Sequence, residues 1–323
     1  MAEEIRFPWV SFCISTFKRP DFLHQQLSSL LKQTFTNFEI VISDNDPEGS
    51  AGEVCLSFKD NRIRYFHNQE NLGMIKSFNK SIERARTDFI VMVTDDDPVD
   101  IDFLSTIYNI WLKNPNYGIY GGFERKKAPP LLIEHIKDVD FISEILDPSK
   151  TSKILWSSCV LKKDVANEIG KIPDYGSPHL ADHAFIALIG DKTGGIVINK
   201  MYSFLTSHNN NFSKVNLEYY LNGCKGFYEI MLNKIQQKNV STKKNAIDRH
   251  LKNWIIVNVY SLKKYYTITA PNKNKLSEIN SFTKGIMRLP FMRKNRFSMQ
   301  LKEILFKAKL YSGILKSNSI EKV

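Results

Sequence analysis

The sequence has no apolar run approaching the ~20 residues that a bilayer-spanning helix requires. Its longest, Trp254 to Tyr260, is short and contains Asn258. The opening residues, Met1-Ala-Glu-Glu-Ile-Arg, lack the basic and apolar regions of a secretory signal, so a cytoplasmic location is expected. Cysteine is scarce. Cys13, Cys55, Cys159 and Cys224 are widely scattered and form no Cys-x-x-Cys pair. That argues against a zinc ribbon or a disulfide framework and fits reduced thiols. Internal repeats and low-complexity tracts are absent as well.

Acidic residues are scarce in one part of the chain. Residues 214–323 hold 22 Lys/Arg against 6 Asp/Glu, whereas residues 1–213 hold 23 against 28. The net charge of +11 therefore belongs to the last third, and the two parts meet different electrostatic surroundings.

What is present is an alternation of strand and helix signals. Val10–Thr16 is a mostly apolar run of the kind that forms a buried parallel strand. Pro20 suits the first turn of a helix, and Phe22, Leu23, Leu27, Leu30 and Leu31 recur at helical spacing. Phe38–Ser43, Ile63–Phe66 and Asp88–Thr94 read as further strands. Helices are expected over Ala51–Phe58, from Gly73 to about Arg86, and over Asp102–Lys113. This order predicts a doubly wound parallel sheet, with ligands outside the carboxyl ends of the strands. Residues 117–213 are less regular. Ile154–Leu161 reads as a strand, Lys163–Gly170 as a helix, Asp174–Leu180 as a loop and Leu180–Ile189 as a helix. From Val215 onward the pattern is helical.

Asp95-Asp96-Asp97 directly follows the fourth strand. Three adjacent carboxylates repel one another, and a divalent cation removes that cost. Hard oxygen ligands suit Mg²⁺ or Mn²⁺, which also take oxygens from a diphosphate. The plain alternative is a solvated acidic loop, and the place at the end of a buried strand favours the metal. Asp44 also falls at a strand end, where a turn-forming role is the alternative.

Three blocks in order carry a resemblance: Ser11-Phe-Cys-Ile-Ser-Thr-Phe-Lys-Arg-Pro20, Glu39-Ile-Val-Ile-Ser-Asp-Asn45, and Asn71-Leu-Gly73 through Phe89-Ile-Val-Met-Val-Thr-Asp-Asp-Asp97. Leu104, seven residues after Asp97, fits the same pattern. Together they resemble family 2 glycosyltransferases of the GT-A fold, well over residues 8–115 and more weakly to about 213. The resemblance implies an α/β fold: a GT-A type, doubly wound, mostly parallel sheet with a helical, basic C-terminal extension. A catalytic domain is expected over 1–213, with a nucleotide-sugar half (1–115) and an acceptor half (116–213), followed by the basic helical region 214–323.

The implied activity is metal-dependent, inverting transfer from a nucleoside-diphosphate sugar to a glycan hydroxyl, in bacterial surface polysaccharide synthesis. Asp44 would read the base. It can accept the N–H of uracil, thymine or guanine but finds no such donor on cytosine, so a UDP-, dTDP- or GDP-sugar is expected before a CDP-sugar. Thr16, Arg19, Lys76, Asp95 and Asp96 would complete the nucleotide-sugar site. Asp97 and His208 would hold Mg²⁺ or Mn²⁺. The family usually shows an acid at the position of Thr94, so the ligand set departs from its pattern. Ile169-Gly-Lys-Ile-Pro-Asp174 and Leu180-Ala-Asp-His-Ala-Phe185 align Asp182 with the family's catalytic base, with His183, Asp174 and His179 as alternatives. Ala181 replaces the Glu that usually precedes the base.

Residues 281–323 carry ten Lys/Arg against Glu303 and Glu321. Leu301, Ile304, Leu305, Ala308, Tyr311 and Leu315 recur at three- and four-residue steps, with Met287, Leu289, Phe291 and Met292 as further exposed apolar candidates. This stretch suits either an anionic membrane surface beside a lipid-linked acceptor or ordinary packing on the catalytic domain. No nucleic-acid motif accompanies the charge, and no nucleic-acid partner is expected. Two other classes compete. A nucleotidyltransferase would show a glycine-rich basic loop, which Thr16–Pro20 lacks. A non-catalytic sugar-nucleotide-binding or membrane scaffold would not need Asp182.

Overall fold

The computed structural model describes residues 8–206, 217–289, 291–292 and 296–311. The first half alternates as the sequence predicts: β1 (Val10–Thr16), α1 (Pro20–Leu30), β2 (Phe38–Asp44), α2 (Gly52–Ser57), β3 (Ile63–His67), α3 (Met74–Arg84), β4 (Phe89–Val93) and α4 (Phe103–Lys113). Pro20 opens α1, where its missing N–H costs nothing, and Leu23, Leu27 and Leu30 bury one stripe. Strands β1, β2 and β4 are apolar on both faces because helices cover both.

The second half is more regular than its sequence suggests. It adds β5 (Ile119–Gly122), β6 (Glu124–Arg125), β7 (Ile133–Ile136), α5 (Asp138–Ile145), β8 (Thr151–Lys153), β9 (Cys159–Lys162), α6 (Lys163–Glu168), α7 (Ala181–Thr193) and β10 (Gly195–Ile198). The expected strand over 154–161 is corrected. A 3₁₀ turn at Trp156–Ser158 separates β8 from β9, and the two strands join different sheets. Among the described residues the α-helices α8 (Leu217–Lys234), α9 (Val240–Lys264), α10 (Lys273–Ile286) and α11 (Arg296–Tyr311) follow, with a π-helical turn at Tyr265–Thr269 after α9.

The main sheet has the order β3-β2-β1-β4-β9-β5-β10-β7. β3, β2, β1 and β4 are mutually parallel, whereas β9 runs antiparallel between β4 and β5. This is the GT-A type of architecture, mostly parallel, with a helical C-terminal part.

Side chains alternate along the strands to feed two cores. Phe12, Ile14, Ile40, Ile42, Val91 and Val93 meet α1, α2 and α4 on one face. Cys13, Val41, Ile90 and Met92 point to the other, where the core continues through α3, α5 and α7 into α8, α9, α10 and α11. The expected boundary at 213/214 lies outside the described residues, and the hydrophobic core is continuous across it. A buried ion pair reinforces the junction: Lys243 Nζ of α9 lies 2.6 Å from Asp191 Oδ1 of α7, and Asp191 Oδ2 accepts the Gln236 N–H at 2.6 Å. Phe291 and Met292, expected to be exposed, are buried in this core, and Met287 and Leu289 pack against it. Among the described residues no helix is long and apolar enough to cross a membrane.

Candidate functional site

The parallel register aligns the strand ends. Thr16 pairs with Asp44 between β1 and β2, and Ile14 pairs with Val93 between β1 and β4. Two residues further along, Thr16 must lie beside Asp95, and its hydroxyl donates to Asp95 Oδ2 at 2.8 Å. The β1–α1 turn is tight, with Lys18 in the left-handed region (φ 54°). That turn brings Arg19 back over the triplet. One guanidinium nitrogen donates to Asp95 Oδ1 at 2.8 Å and the other to Asp96 Oδ2 at 2.5 Å. The Phe22 ring, 4.4 Å from the guanidinium carbon, supports the arginine from α1.

These residues floor a cleft of ≈ 820 Å³ at the carboxyl edge of the sheet. Thr16, Arg19, Lys76, Asp95, Asp96 and Asp97 all line it, so six of the expected site residues come together. Burial pushes the Asp95 carboxyl up to about 6, with the Arg19 guanidinium and the Thr16 hydroxyl opposing it. Asp97 is also raised, again by burial, against a backbone hydrogen bond. That bond is Thr206 N–H to Asp97 Oδ1, 2.9 Å. It belongs to a segment running antiparallel beside the triplet: Val99 bridges Ser203, and Asp100 N–H donates to Tyr202 O at 2.7 Å. Leu205 of this segment lines the cleft. His208, two residues beyond Thr206, lies outside the described residues.

Asp44 is the exception among the nucleotide-site expectations. It is fully buried and does not line the cleft. Oδ1 accepts from Asp46 N–H at 3.0 Å, and Oδ2 accepts from Ala51 N–H at 3.1 Å and from the Tyr65 hydroxyl at 2.9 Å. Both oxygens thus hold the turn after β2. Its neighbour Asn45 reaches the cleft wall indirectly. Asn45 Nδ2 donates to Asn71 Oδ1 at 2.6 Å, and its Oδ1 accepts from Leu72 N–H at 2.9 Å. Asn71, Leu72 and Gly73 line the cleft. Gly73 holds φ 81°, a conformation costly for residues with a Cβ, at the start of α3.

The opposite wall comes from the 174–178 loop, with Asp174, Gly176, Ser177 and Pro178 in the lining. Asp182, in the first turn of α7, does not line the cleft. Its carboxylate lies 3.8 Å from His183 Nε2, and His183 Nδ1 lies 2.9 Å from His250 Nε2 of α9. His250 Nδ1 reaches the Leu146 carbonyl at 3.2 Å, and burial holds its pKa well below the usual histidine value. His183 therefore ties α7 to α9. His179 packs against Tyr220 (ring centroids 4.3 Å) and Trp254 (5.7 Å), and burial lowers its pKa to about 4. Of the alternative bases, Asp174 is the one in the cleft wall.

Sequence reasoning missed the contribution of α8. Tyr219 of α8 lines the cleft, and its carbonyl accepts from the Ser177 hydroxyl at 2.7 Å. Gly223 and Gly226 let α8 approach this loop. A Cβ on Gly226 would sit 2.2 Å from the Tyr175 ring, and one on Gly223 would sit 2.8 Å from His179 Cβ. The Gly-x-x-Gly spacing on one helix face was the available signal.

Residues 11–169 match the family model described as glycosyl transferase family 2. This part of the chain belongs to that family. Glycosyltransferase GlyG of Streptococcus pneumoniae serotype 4 is 30% identical over 101 residues, 31% of this chain and 34% of that protein. The UDP-Glc:alpha-D-GlcNAc-diphosphoundecaprenol beta-1,3-glucosyltransferase WfgD of Escherichia coli is 28% identical over 115 residues, 36% of this chain and 46% of that protein. The matched stretch thus spans less than half of either relative. Among solved structures, S. aureus TarS 1-349 in complex with UDP-GlcNAc superposes with a TM-score of 0.59 at 14% identity, covering 85% of this chain and 79% of that one. Mannosyltransferase PcManGT from Pyrobaculum calidifontis, in complex with GDP-Man and Mn²⁺, gives 0.55 at 13% identity, covering 94% and 86%. The structural likeness establishes the fold, and the family model establishes a glycosyltransferase domain.

Proposed function

We propose that the chain transfers a sugar from a nucleoside-diphosphate sugar to a hydroxyl of a glycan acceptor, with inversion at the anomeric carbon. The observation that carries this reading is the Asp95–Asp97 triplet on the cleft floor, bridged by Arg19 beside the ends of β1 and β4. The cleft suits such a donor in size and composition. Leu72, Met74 and Ile75 form an apolar wall for a base, and Arg19 and Lys76 supply cations for a diphosphate. TarS holds UDP-GlcNAc and PcManGT holds GDP-Man on the same fold, which supports a UDP- or GDP-sugar here. WfgD acts on a diphosphoundecaprenol-linked acceptor, which supports a lipid-linked glycan and a place in surface polysaccharide synthesis.

The donor set fits a divalent cation. Three carboxylates on one turn face a single bridging guanidinium, and burial disfavours the charged forms of Asp95 and Asp97. Among the described residues no three acidic, His or Cys side chains converge as a preformed cage. That suits Mg²⁺ or Mn²⁺, which binds through one or two carboxylates and takes its remaining oxygens from substrate phosphates. Asp97, with Asp96 beside it, would hold the ion, and His208 is a further candidate ligand. When bound, the ion offsets charge on the departing diphosphate. Arg19 does the same from the protein side, as a fixed donor pair above the triplet.

Asp182 is the proposed general base, on its register with the family motif. Asp174 is the second reading, favoured by its place in the cleft wall. Asp182→Asn and Asp174→Asn separate them. The base variant loses at least about a hundredfold in kcat while still binding donor. If Asp182→Asn transfers at the wild-type rate and Asp174→Asn does not, the role passes to Asp174. If neither is impaired, the single-displacement reading fails.

A further inference from the structure

α11 packs on α9 through one side only. Met299 is buried, Glu303 accepts from Lys263 Nζ at 2.6 Å and from the Tyr260 hydroxyl at 3.2 Å, and the Phe306 ring lies 5.5 Å from that of Tyr260. At 3.6 residues per turn these three positions share an arc of about 60°. On the opposite side, Phe297, Leu301, Ile304 and Leu305 are 77%, 47%, 63% and 45% exposed. With Ala308 they fill an outward arc of about 100°. Exposed Lys302 and Lys309 flank one margin of this stripe, and exposed Lys307 flanks the other. The single acid of the helix, Glu303, is on the packed side with Lys263. The recurrence visible in the sequence thus marks the face that α11 turns outward, and a different set of residues packs it onto the domain.

An apolar stripe with Lys302 and Lys309 on one margin and Lys307 on the other suits a planar anionic boundary. The stripe enters the hydrocarbon edge, and the lysine stems reach back so that their ammonium groups meet headgroup phosphates. A second copy of the chain is a poorer occupant, because a two-fold contact through this stripe would bring the like-charged flanking lysines together. We propose that the outward face of α11 is a membrane-docking surface, lying in the plane of an anionic phospholipid bilayer. It carries the protein to the surface without crossing it. This inference does not depend on the donor chemistry of the cleft.

The test is sedimentation of the full chain with vesicles of phosphatidylcholine alone and of phosphatidylcholine mixed with phosphatidylglycerol. The protein is expected to sediment with the anionic vesicles and to stay in solution with the zwitterionic ones. Leu301→Asp with Ile304→Asp is expected to lower partitioning at least about tenfold. Lys302→Gln and Lys309→Gln are each expected to weaken it roughly fivefold. All four positions are exposed, so thermal melting matched to wild type shows that the variants are folded. Absence of vesicle binding overturns the proposal, and so does binding indifferent to the aspartates or to lipid charge. Velocity sedimentation adds a further arm: a dimer abolished by the aspartates, without vesicle binding, overturns it in favour of a contact between copies. Because the readout is partitioning, its failure is distinguishable from failure of the transferase reading.

Discussion

Arg19 is the residue on which the cleft floor turns. It bridges two carboxylates, one of them almost fully buried, and removing it leaves Asp95 without its cation in a desolvated place. Arg19→Ala is expected to weaken donor binding at least about tenfold and to destabilise the fold by roughly 2 kcal/mol. Calorimetric titration with nucleoside diphosphate and a thermal melt measure the two effects. Arg19→Lys is expected to recover stability better than binding, because an ammonium cannot span both carboxylates with a planar fork. The triplet and Arg19 were legible in the sequence because the strand and turn that place them are local. The setting of Asp44 was not legible: it lies buried at the end of β2, outside the cleft lining. Its two oxygens are consumed by Asp46, Ala51 and Tyr65, and Tyr65 arrives from β3. A sequence shows an acid at a strand end but not which donors fold back onto it.

The elements that matter beyond the sheet are α7, α8 and α9. Gly226→Ala is expected to push the Tyr175 ring, and with it the 174–178 loop, out of the cleft wall. Acceptor KM should rise several-fold with nucleoside-diphosphate affinity unchanged, which steady-state kinetics and titration distinguish. The helix contacts also carry a pH dependence. His179 and His250 are held neutral by burial, with folded-state pKa values below the ordinary 6.5. The unfolded chain therefore binds more protons below that value. Stability is intact above pH 6.5 and falls as the pH drops from there toward 4. Thermal melts between pH 7.5 and 5 should show the midpoint falling, and His179→Phe should flatten the fall. A pH dependence unchanged in His179→Phe would contradict a buried neutral His179. The parallel half of the fold was legible because each βα unit is local and its apolar periodicity is strong. The strands β5, β7 and β10 were not, because they are four residues long and owe their place to partners far along the chain.

The whole molecule is one catalytic layer system with a basic helical part grown onto it. Within the basic C-terminal part, α8 lends Tyr219 to the cleft, while α11 turns Lys302, Lys307 and Lys309 outward. What the sequence did not disclose is how far the helices share the catalytic core, since Phe227, Met231 and Leu251 pack into the same cluster as Cys13 and Met92. The proposed metal dependence belongs to this scale, because the ion would be shared between the triplet and the donor. Chelation with EDTA is expected to suppress transfer, and added Mg²⁺ or Mn²⁺ to restore it. Asp97→Asn is expected to reduce turnover about a hundredfold or more even with the metal present. The central claim is that the cleft binds and activates a nucleoside-diphosphate sugar. Its most direct test is incubation of the protein, with Mn²⁺, against a panel of UDP-, dTDP-, GDP- and CDP-linked sugars, scoring release of free nucleoside diphosphate without acceptor. The account predicts slow hydrolysis of one or a few UDP-, dTDP- or GDP-sugars, abolished by Asp97→Asn. No release from any donor, together with no binding of any nucleoside diphosphate, would contradict it.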